Sequence, residues 1–239
     1  MMGRLAATAA WMLGWAALFG AAFWTFLNTP ESTVFTLALS LLLIGVMYVV
    51  LALAWSWALL GWSQGVSGGT ARRAFGGIAA FLPPALLVVV AWWLVGRGLD
   101  WLANHSGQIS AWFIASFNWS DVRPLLRGVT WFGEWVRQLV VPFAGLVWLD
   151  SLLRRGWRPL FDRACLSHAL SPLRLLLATL IAGVTIFVPL HYGVYWMPQG
   201  LPATWLEPAF AIVKFGVMAL VGAVGASLIA RLAAGKSPR

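Results

Sequence analysis

The chain has 239 residues, of which 61% are hydrophobic and only 10% are charged. A soluble domain carries about 25% charged residues, so this composition excludes a water-soluble globular protein, and it is also too apolar for a disordered chain. The 16 Lys and Arg residues outnumber the 7 Asp and Glu residues, which gives a net charge of +9. The composition predicts a polytopic membrane protein, in which the position of the basic residues matters more than their number.

Six apolar stretches are long enough to cross a bilayer, which requires about 20 consecutive, mostly apolar residues. The spans are predicted at residues 5–27, 34–60, 76–95, 130–153, 173–196 and 208–230. The first stretch is longer than the core of a signal peptide, so we expect it to be retained as a span. The loops are too short to hold a soluble domain, and the expected fold class is an all-α, polytopic membrane helical bundle forming a single domain.

The loop between the third and fourth spans is the longest loop predicted on the outer side of the membrane. It contains the apolar segment 109–119, which is too short to cross a bilayer. We expect an additional interfacial or re-entrant helix in this outer loop. Prolines inside three spans predict kinks, because proline lacks the backbone N–H that a helix uses. These prolines are Pro83, Pro84, Pro142 and Pro189.

Arginine and lysine residues are concentrated in the loops on one side of the predicted spans, together with both chain termini. The positive-inside rule assigns that side to the cytoplasm. The cytoplasmic loops contain six arginines that we expect to contact lipid headgroups or a partner: Arg72, Arg73, Arg154, Arg155, Arg158 and Arg163. We therefore expect an integral protein of the bacterial inner membrane with both termini in the cytoplasm. The basic charge is attributed to topology, and no nucleic acid is expected as a partner.

A small group of ionisable residues lies within or beside the outer ends of the spans. Its members are Glu134, Arg137, Lys214, Glu207 and His191. Charges inside a bilayer are costly, so they mark candidate functional residues. One hypothesis is a polar, outward-facing cavity that binds an anion or a headgroup. The other is that Glu134 pairs with Arg137, three residues away on the same helix face, while Lys214 extends its stem toward the interface.

Tryptophan is abundant, with 17 residues in the chain, and most of them lie near predicted span ends. Indole rings prefer the membrane interface, which explains this placement. More of them lie on the outer side than on the inner side, and this excess allows a second interpretation. In this second interpretation, the outer tryptophans form an aromatic surface for a ligand or a partner helix.

The HExxH and P-loop motifs are absent from the sequence. The GxSxG pattern occurs at residues 61–65 and 65–69, at the end of an apolar span and without the strand–turn–helix context of a nucleophile elbow. The single cysteine, Cys165, excludes an internal disulfide, and no Cys/His spacing is typical of a metal site. We therefore expect no catalytic residue, no metal and no cofactor.

The expected function is that of a non-catalytic integral membrane subunit, which scaffolds or anchors a larger membrane assembly. Its partners would be the lipid bilayer and other membrane proteins. The alternative is a permease-type transporter subunit with a cavity around Glu134, Arg137 and Lys214. Six spans with cytoplasmic loops after the second and fourth resemble ABC-type permease subunits, and this resemblance implies docking of a cytoplasmic ATPase. A second alternative is an intramembrane lipid-modifying enzyme.

Overall fold

The structure, a computed structural model, describes residues 2–30, 33–65, 68–119, 121–156, 167–196 and 206–234. Within these residues six helices are long and apolar enough to cross a membrane. They are α1 (Met2–Leu27), α2 (Val34–Gln64), α3 (Gly68–Phe117), α4 (Arg123–Arg155), α5 (Pro172–Gly193) and α6 (Leu206–Ala233). The described residues contain no strand. The predicted all-α fold is therefore confirmed, with six helices that are long and apolar enough to span a membrane.

The ends of α2 are set by local capping. Thr33 and Thr36 form a reciprocal capping box, in which the Thr36 N–H donates to Thr33 Oγ1 (3.2 Å) and the Thr33 N–H donates to Thr36 Oγ1 (3.1 Å). At the other end Gly65 adopts a φ of 94° and donates its N–H to the Gly61 carbonyl. A positive φ suits glycine because it has no side chain. The helix therefore continues to Gln64, beyond the predicted boundary at residue 60.

The third helix is much longer than a membrane span. It has 50 residues and a rise of about 75 Å, against about 30 Å for the hydrocarbon core. Pro83 and Pro84 lie inside α3 and do not end it. Residues 109–117 continue the same helix, so the separate interfacial or re-entrant helix predicted there is not confirmed. The stretch after Arg97 contains no proline, and its Leu, Ala and Gln residues favour continued helix.

The end of α3 and the beginning of α4 form a helical hairpin. Asn118 adopts a φ of 55° just after α3, and α4 starts at Arg123. The two helices touch where a Cβ on Gly133 would lie 2.5 Å from the Leu99 side chain. We call residues 98–117 and 123–133 the projecting hairpin.

The projecting hairpin extends beyond the length of the other spans. Helix α5 has 22 residues and rises about 33 Å, whereas α2 has 31 residues and rises about 46 Å. The same rises along α3 from Arg72 end near residues 93 and 102. Most of the α3 arm of the hairpin therefore lies past the length of the other spans. We call the opposite end, which contains Arg4, Arg154 and Arg231, the basic end.

Helices α4 and α5 contain π-helical turns. They cover Val136–Val140 in α4 and Gly183–Phe187 and Pro189–Gly193 in α5. Pro142 and Pro189 accompany these turns, and each removes one N–H donor from the regular helical pattern. The hydrogen bonds that remain join residues five apart, as in Val141 N–H to the Val136 carbonyl. The irregular backbone thus falls where the sequence predicts kinks in these two helices.

Small and hydroxyl side chains bring the helices together in the half of the bundle near the basic end. Thr8 of α1 and Ser227 of α6 are both fully buried and share a hydrogen bond. Gly225 of α6 packs directly on Thr185 of α5. A buried apolar cluster surrounds these contacts, with members that include Ala58, Leu59, Phe143, Leu149, Ala178 and Ala230. Close backbone approach is the expected packing mode for helices in lipid.

Candidate functional site

Glu134 and Arg137 are brought together at the start of the π turn in α4. Arg137 Nη1 donates to Glu134 Oε1 at 3.3 Å, and Gln138 Nε2 donates to Glu134 Oε2 at 3.1 Å. The Arg137 guanidinium also lies over the Trp92 indole of α3, with its carbon 3.5 Å from the ring centroid. A cation over an indole face is electrostatically attracted to it. The pair is therefore held by charge, by hydrogen bonds and by the ring.

The Arg137 guanidinium packs on the backbone of α3 at Gly96. A Cβ on Gly96 would lie 3.4 Å from Arg137 Cζ, so the side chain packs on the backbone of α3. Arg137 Nε is buried and has no hydrogen-bond partner among the described residues. The Arg137 side chain is 21% exposed and that of Glu134 is 40% exposed. The site is thus a shielded, overall neutral ion pair near the projecting hairpin.

Lys214 has a different set of partners. Its Nζ donates to the carbonyls of Val194 (3.0 Å) and Trp196 (3.1 Å), just after α5 ends. The last carbonyls of a helix lack partners within that helix and carry partial negative charge, so a lysine stabilises them. The Nζ also lies 5.1 Å from the Phe215 ring centroid. Lys214 therefore joins α6 to the end of α5, and the interactions of the described residues do not connect it to Glu134 or Arg137.

The other two members of the predicted group lie apart from the ion pair. Glu207 is exposed in the first turn of α6, where a carboxylate interacts favourably with the helix dipole. His191 lies in the second π turn of α5, with its ring edge-on to Tyr192 at 5.0 Å between centroids. A cavity of about 460 Å³ adjoins it, lined by His191, Tyr192, Gly193, Tyr195 and Trp196. That cavity is aromatic, and none of Glu134, Arg137 or Lys214 lines it.

The basic end contains part of the predicted arginine group. Arg73 Nη1 donates to Gln64 Oε1 at 2.6 Å, which links the start of α3 to the end of α2. Arg72 and Arg155 are exposed, whereas Arg154 pairs with Asp150 one turn earlier in α4. Two other predicted positions, Arg158 and Arg163, lie outside the described residues.

Asp150 is 1% exposed in the structure. It was not identified as a candidate from the sequence. The signal for it was present, because Asp150 and Arg154 are four residues apart and share a helix face. A carboxylate this deeply buried requires a charged or hydrogen-bonding partner. Asp150 therefore fixes the position of Arg154 at the basic end.

His168 and Arg174 form a neighbouring polar contact. Arg174 Nη1 donates to His168 Nδ1, which leaves this imidazole nitrogen as the acceptor. Burial, together with the charges of Arg174 and Arg154, lowers the pKa of His168 to about 4. The imidazole is therefore neutral near pH 7. The basic end thus combines a buried carboxylate, a neutral histidine and two arginines.

The projecting hairpin exposes apolar side chains on the first half of α4. Leu125, Val129 and Phe132 share one helix face, because residues three and four apart are neighbours on a helix. They are 39%, 44% and 62% exposed, respectively. None of the residues in Arg123–Trp135 is buried. This amphipathic segment therefore leaves its apolar face without a partner in the described chain.

The tip of the hairpin carries a cluster of aromatic rings. Trp112, Phe113, Phe117 and Trp119 contact one another with centroid distances between 5.0 and 6.3 Å. Close by, Arg123 Nε donates to Asp121 Oδ1 at 3.0 Å. Hydrogen bonds from the backbone and side chain of Arg123 lower the pKa of Asp121, so this carboxylate stays ionised.

The described residues contain no group of three or more His, Cys, Asp or Glu side chains that could hold a metal ion. The candidate sites are therefore the Glu134–Arg137 pair, the polar contacts at the basic end and the projecting hairpin.

Comparison of the chain with known protein families, with curated proteins and with solved structures gives no match.

Proposed function

We propose that this chain is a non-catalytic integral membrane subunit that anchors or scaffolds a larger membrane assembly. The observation that carries this proposal is the apolar surface of the projecting hairpin and of the turn that connects its two helices. The exposed large hydrophobic residues there are Trp101, Trp112, Ile114, Phe117, Trp119, Leu125, Val129, Trp131 and Phe132. Large contiguous apolar patches outside the hydrocarbon core are typical of interaction sites.

Two antiparallel helices bury only one face of each other. In α4 the residues that face α3 include Leu126, Thr130 and Gly133, whereas Leu125, Val129 and Phe132 remain exposed. Burying a side chain of this size stabilises a complex by about 1.5–3 kcal/mol before the costs of association. A helix of another membrane protein laid along this stripe would complete a three-helix core. The partner is therefore expected to contribute an amphipathic helix outside the bilayer.

The proposal includes an orientation. Arg4, Arg72, Arg73, Arg174 and Arg231 belong to the basic end, and the positive-inside rule favours the cytoplasm for it. The projecting hairpin would then face the outside of a bacterial inner membrane. If the hairpin instead lay along the headgroup region, its apolar stripe would contact lipid, as expected for an interfacial helix.

Purification from the native membrane in a mild detergent tests the assembly role. We expect one or more other integral membrane proteins to copurify with the wild-type chain. A Val129→Ser, Phe132→Ser double variant should lose them. The matched control is Val34→Ser, Phe35→Ser, which removes the same side chains from exposed positions at the start of α2.

Helical content and elution volume of the purified chain verify that both double variants fold. Recovery of the chain alone, or equal retention of partners by both variants, would contradict the assembly role. A stoichiometric cytoplasmic ATPase in place of integral partners would identify the permease alternative.

A further inference from the structure

A cleft lies between the two arms of the projecting hairpin. Its volume is about 380 Å³, and its lining residues are Ser106, Gly107, Ser110, Arg123, Leu126, Arg127, Thr130 and Trp131. Successive helix residues are rotated by about 100°, so Arg123 and Arg127 lie on the side of α4 roughly opposite Leu125 and Val129. The cleft is therefore separate from the stripe of Leu125, Val129 and Phe132 that the assembly test alters, and only its rim residue Trp131 also belongs to the apolar surface of the hairpin.

Two arginines give the cleft its charge. Arg123 and Arg127 are one helical turn apart, and the hydrogen bonds of Arg123 use only its backbone N–H and Nε, both toward Asp121. Arg127 makes no hydrogen bond with a described residue, although its charge attracts the Asp121 carboxylate beside the cleft. Arg123 also begins α4, so the positive end of the helix dipole is adjacent, although the Arg123 N–H already donates to Asp121 and Pro124 has no N–H. Terminal guanidinium nitrogens of both residues remain available to an anion.

Hydroxyl groups and an indole complete the lining. The Ser106 and Thr130 hydroxyls donate to carbonyls of their own helices, at 2.8 and 2.9 Å, which leaves their oxygens as acceptors. Ser110 has no hydrogen-bond partner among the described residues and can donate. Trp131 lies at the rim and is 78% exposed, so its indole ring offers a flat surface for stacking.

We propose that this cleft binds a phosphate ester whose phosphate group lies between Arg123 and Arg127 and whose ring rests on Trp131. Two arginines beside the positive end of a helix dipole favour phosphate over a neutral ligand. The volume falls within the range of small-molecule sites, about 300–1,000 Å³. Ser106 and Thr130 accept hydrogen bonds from hydroxyls of the ester. The phosphate ester can be a soluble molecule or the headgroup of a lipid.

Calorimetric titration of the full chain in nanodiscs of phosphatidylcholine tests the site, with phenyl phosphate as the probe. We expect saturable binding, no binding of phenol, and affinity that falls as salt is added. Arg127→Gln should weaken binding about tenfold, since one charge-assisted contact to phosphate is lost. The matched control is Arg97→Gln, an exposed arginine of α3 that stacks on Trp93 outside the cleft. It should bind the probe as the wild type does.

Two further titrations identify the ligand. Trp131→Ala should weaken phenyl phosphate binding and leave inorganic phosphate binding unchanged. Loss of phenyl phosphate binding in nanodiscs that contain phosphatidylglycerol would assign the site to a lipid headgroup, whereas retained binding assigns it to a soluble ester.

Three results would overturn the proposal. They are absence of saturable phenyl phosphate binding, equal weakening by Arg97→Gln and Arg127→Gln, and binding of a glutamate-rich peptide in place of phosphate. Both substituted side chains are exposed, and helical content verifies that the variants fold. The assembly role is tested on the other side of α4, so the two proposals fail independently.

Discussion

Glu134 is the acceptor on which the Arg137 guanidinium and the Gln138 amide converge. Replacing it by glutamine in Glu134→Gln leaves a charged guanidinium beside a neutral partner. Exposed pairs contribute about 0–1 kcal/mol and broken buried pairs cost about 3–5 kcal/mol. For this half-exposed pair we expect a loss of about 1 kcal/mol. A lowered thermal unfolding midpoint of the protein in detergent checks this expectation.

The control for that measurement is Asp100→Asn, which neutralises an exposed carboxylate of the projecting hairpin. Its midpoint should match the wild type. Adding Arg137→Met to Glu134→Gln should recover part of the loss, because the uncompensated charge is then gone and the methionine still contacts Trp92. An unchanged midpoint for Glu134→Gln alone would mean that Trp92 and water suffice to hold Arg137.

His168 gives the chain a predictable response to acid. Its pKa is about 4 in the folded protein because of burial, Arg174 and Arg154, whereas an unfolded histidine titrates near about 6.5. Between these values the unfolded state binds more protons, so stability falls as the pH falls toward 4. We expect His168→Gln, which keeps an acceptor for Arg174, to lose less of its unfolding midpoint between about pH 7 and about pH 5.

The control is His105→Gln in the projecting hairpin, where the ring stacks on Trp101 away from the basic end. This variant should keep the acid sensitivity of the wild type. The same slope in His168→Gln and wild type would show that another group is responsible.

At the scale of helices, hydrophobic length predicts that a span exists, but it does not determine where the helix ends. The six spans were predicted from apolar runs alone, and each corresponds to a helix. Helix α2 ends at Gly65 because that residue adopts a positive φ, and α3 continues past Arg97 because no proline or cap stops it. Such helix ends depend on the backbone conformation and hydrogen bonding of individual residues. A hydrophobicity averaged over about 20 residues cannot detect them.

The difference between contacts within one helix and contacts between helices also explains which part of the candidate site was predictable. Glu134 and Arg137 are three residues apart on one helix, so their spacing predicts the contact. Lys214 instead binds carbonyls at the end of a different helix, and Arg137 depends on Trp92 of α3. These contacts require the helices to be packed, and the sequence alone contains no local signal for them.

Helices α5 and α6 pack too closely at Gly225 to admit a side chain. A Cβ there would lie 1.9 Å from Thr185 Oγ1 and 2.6 Å from Thr185 Cβ. Gly225→Ala must therefore push the helices apart, at a cost of about 1–3 kcal/mol. Gly216→Ala on the same helix meets nothing within 4 Å, and alanine favours helix, so it should be neutral or slightly stabilising. Equal unfolding midpoints for the two variants would contradict this close packing.

Across the whole molecule, the two ends of the bundle differ in charge and in exposed apolar surface. Arg4, Arg154 and Arg231 belong to one end, and the opposite end carries the projecting hairpin with both acidic and basic residues. A bilayer holds the apolar sides of the bundle, so each end meets a different compartment. The proposed phosphate site and the proposed partner surface both belong to the hairpin, on different sides of α4. Their compartment therefore follows from the orientation of the chain.

Cysteine labelling determines that orientation directly. Cys165 is the single cysteine and belongs to the segment that joins α4 to α5, so it reports on the basic side. Ala111→Cys in a Cys165→Ser background reports on the projecting hairpin, where Ala111 is exposed. The positive-inside rule predicts that a membrane-impermeant maleimide labels Ala111→Cys in intact bacterial cells. It should label Cys165 of the wild type only after permeabilisation.

Each variant is also labelled after permeabilisation, which verifies that its thiol can react. The reverse pattern would place the projecting hairpin in the cytoplasm and expose it to cytoplasmic partners and soluble phosphate esters. The arginines of the basic end would then lie outside against the positive-inside rule, which concerns charges near span ends such as Arg72, Arg73 and Arg174. Because those arginines favour retention in the cytoplasm during insertion, substituting all three by glutamine should produce a mixture of both labelling patterns.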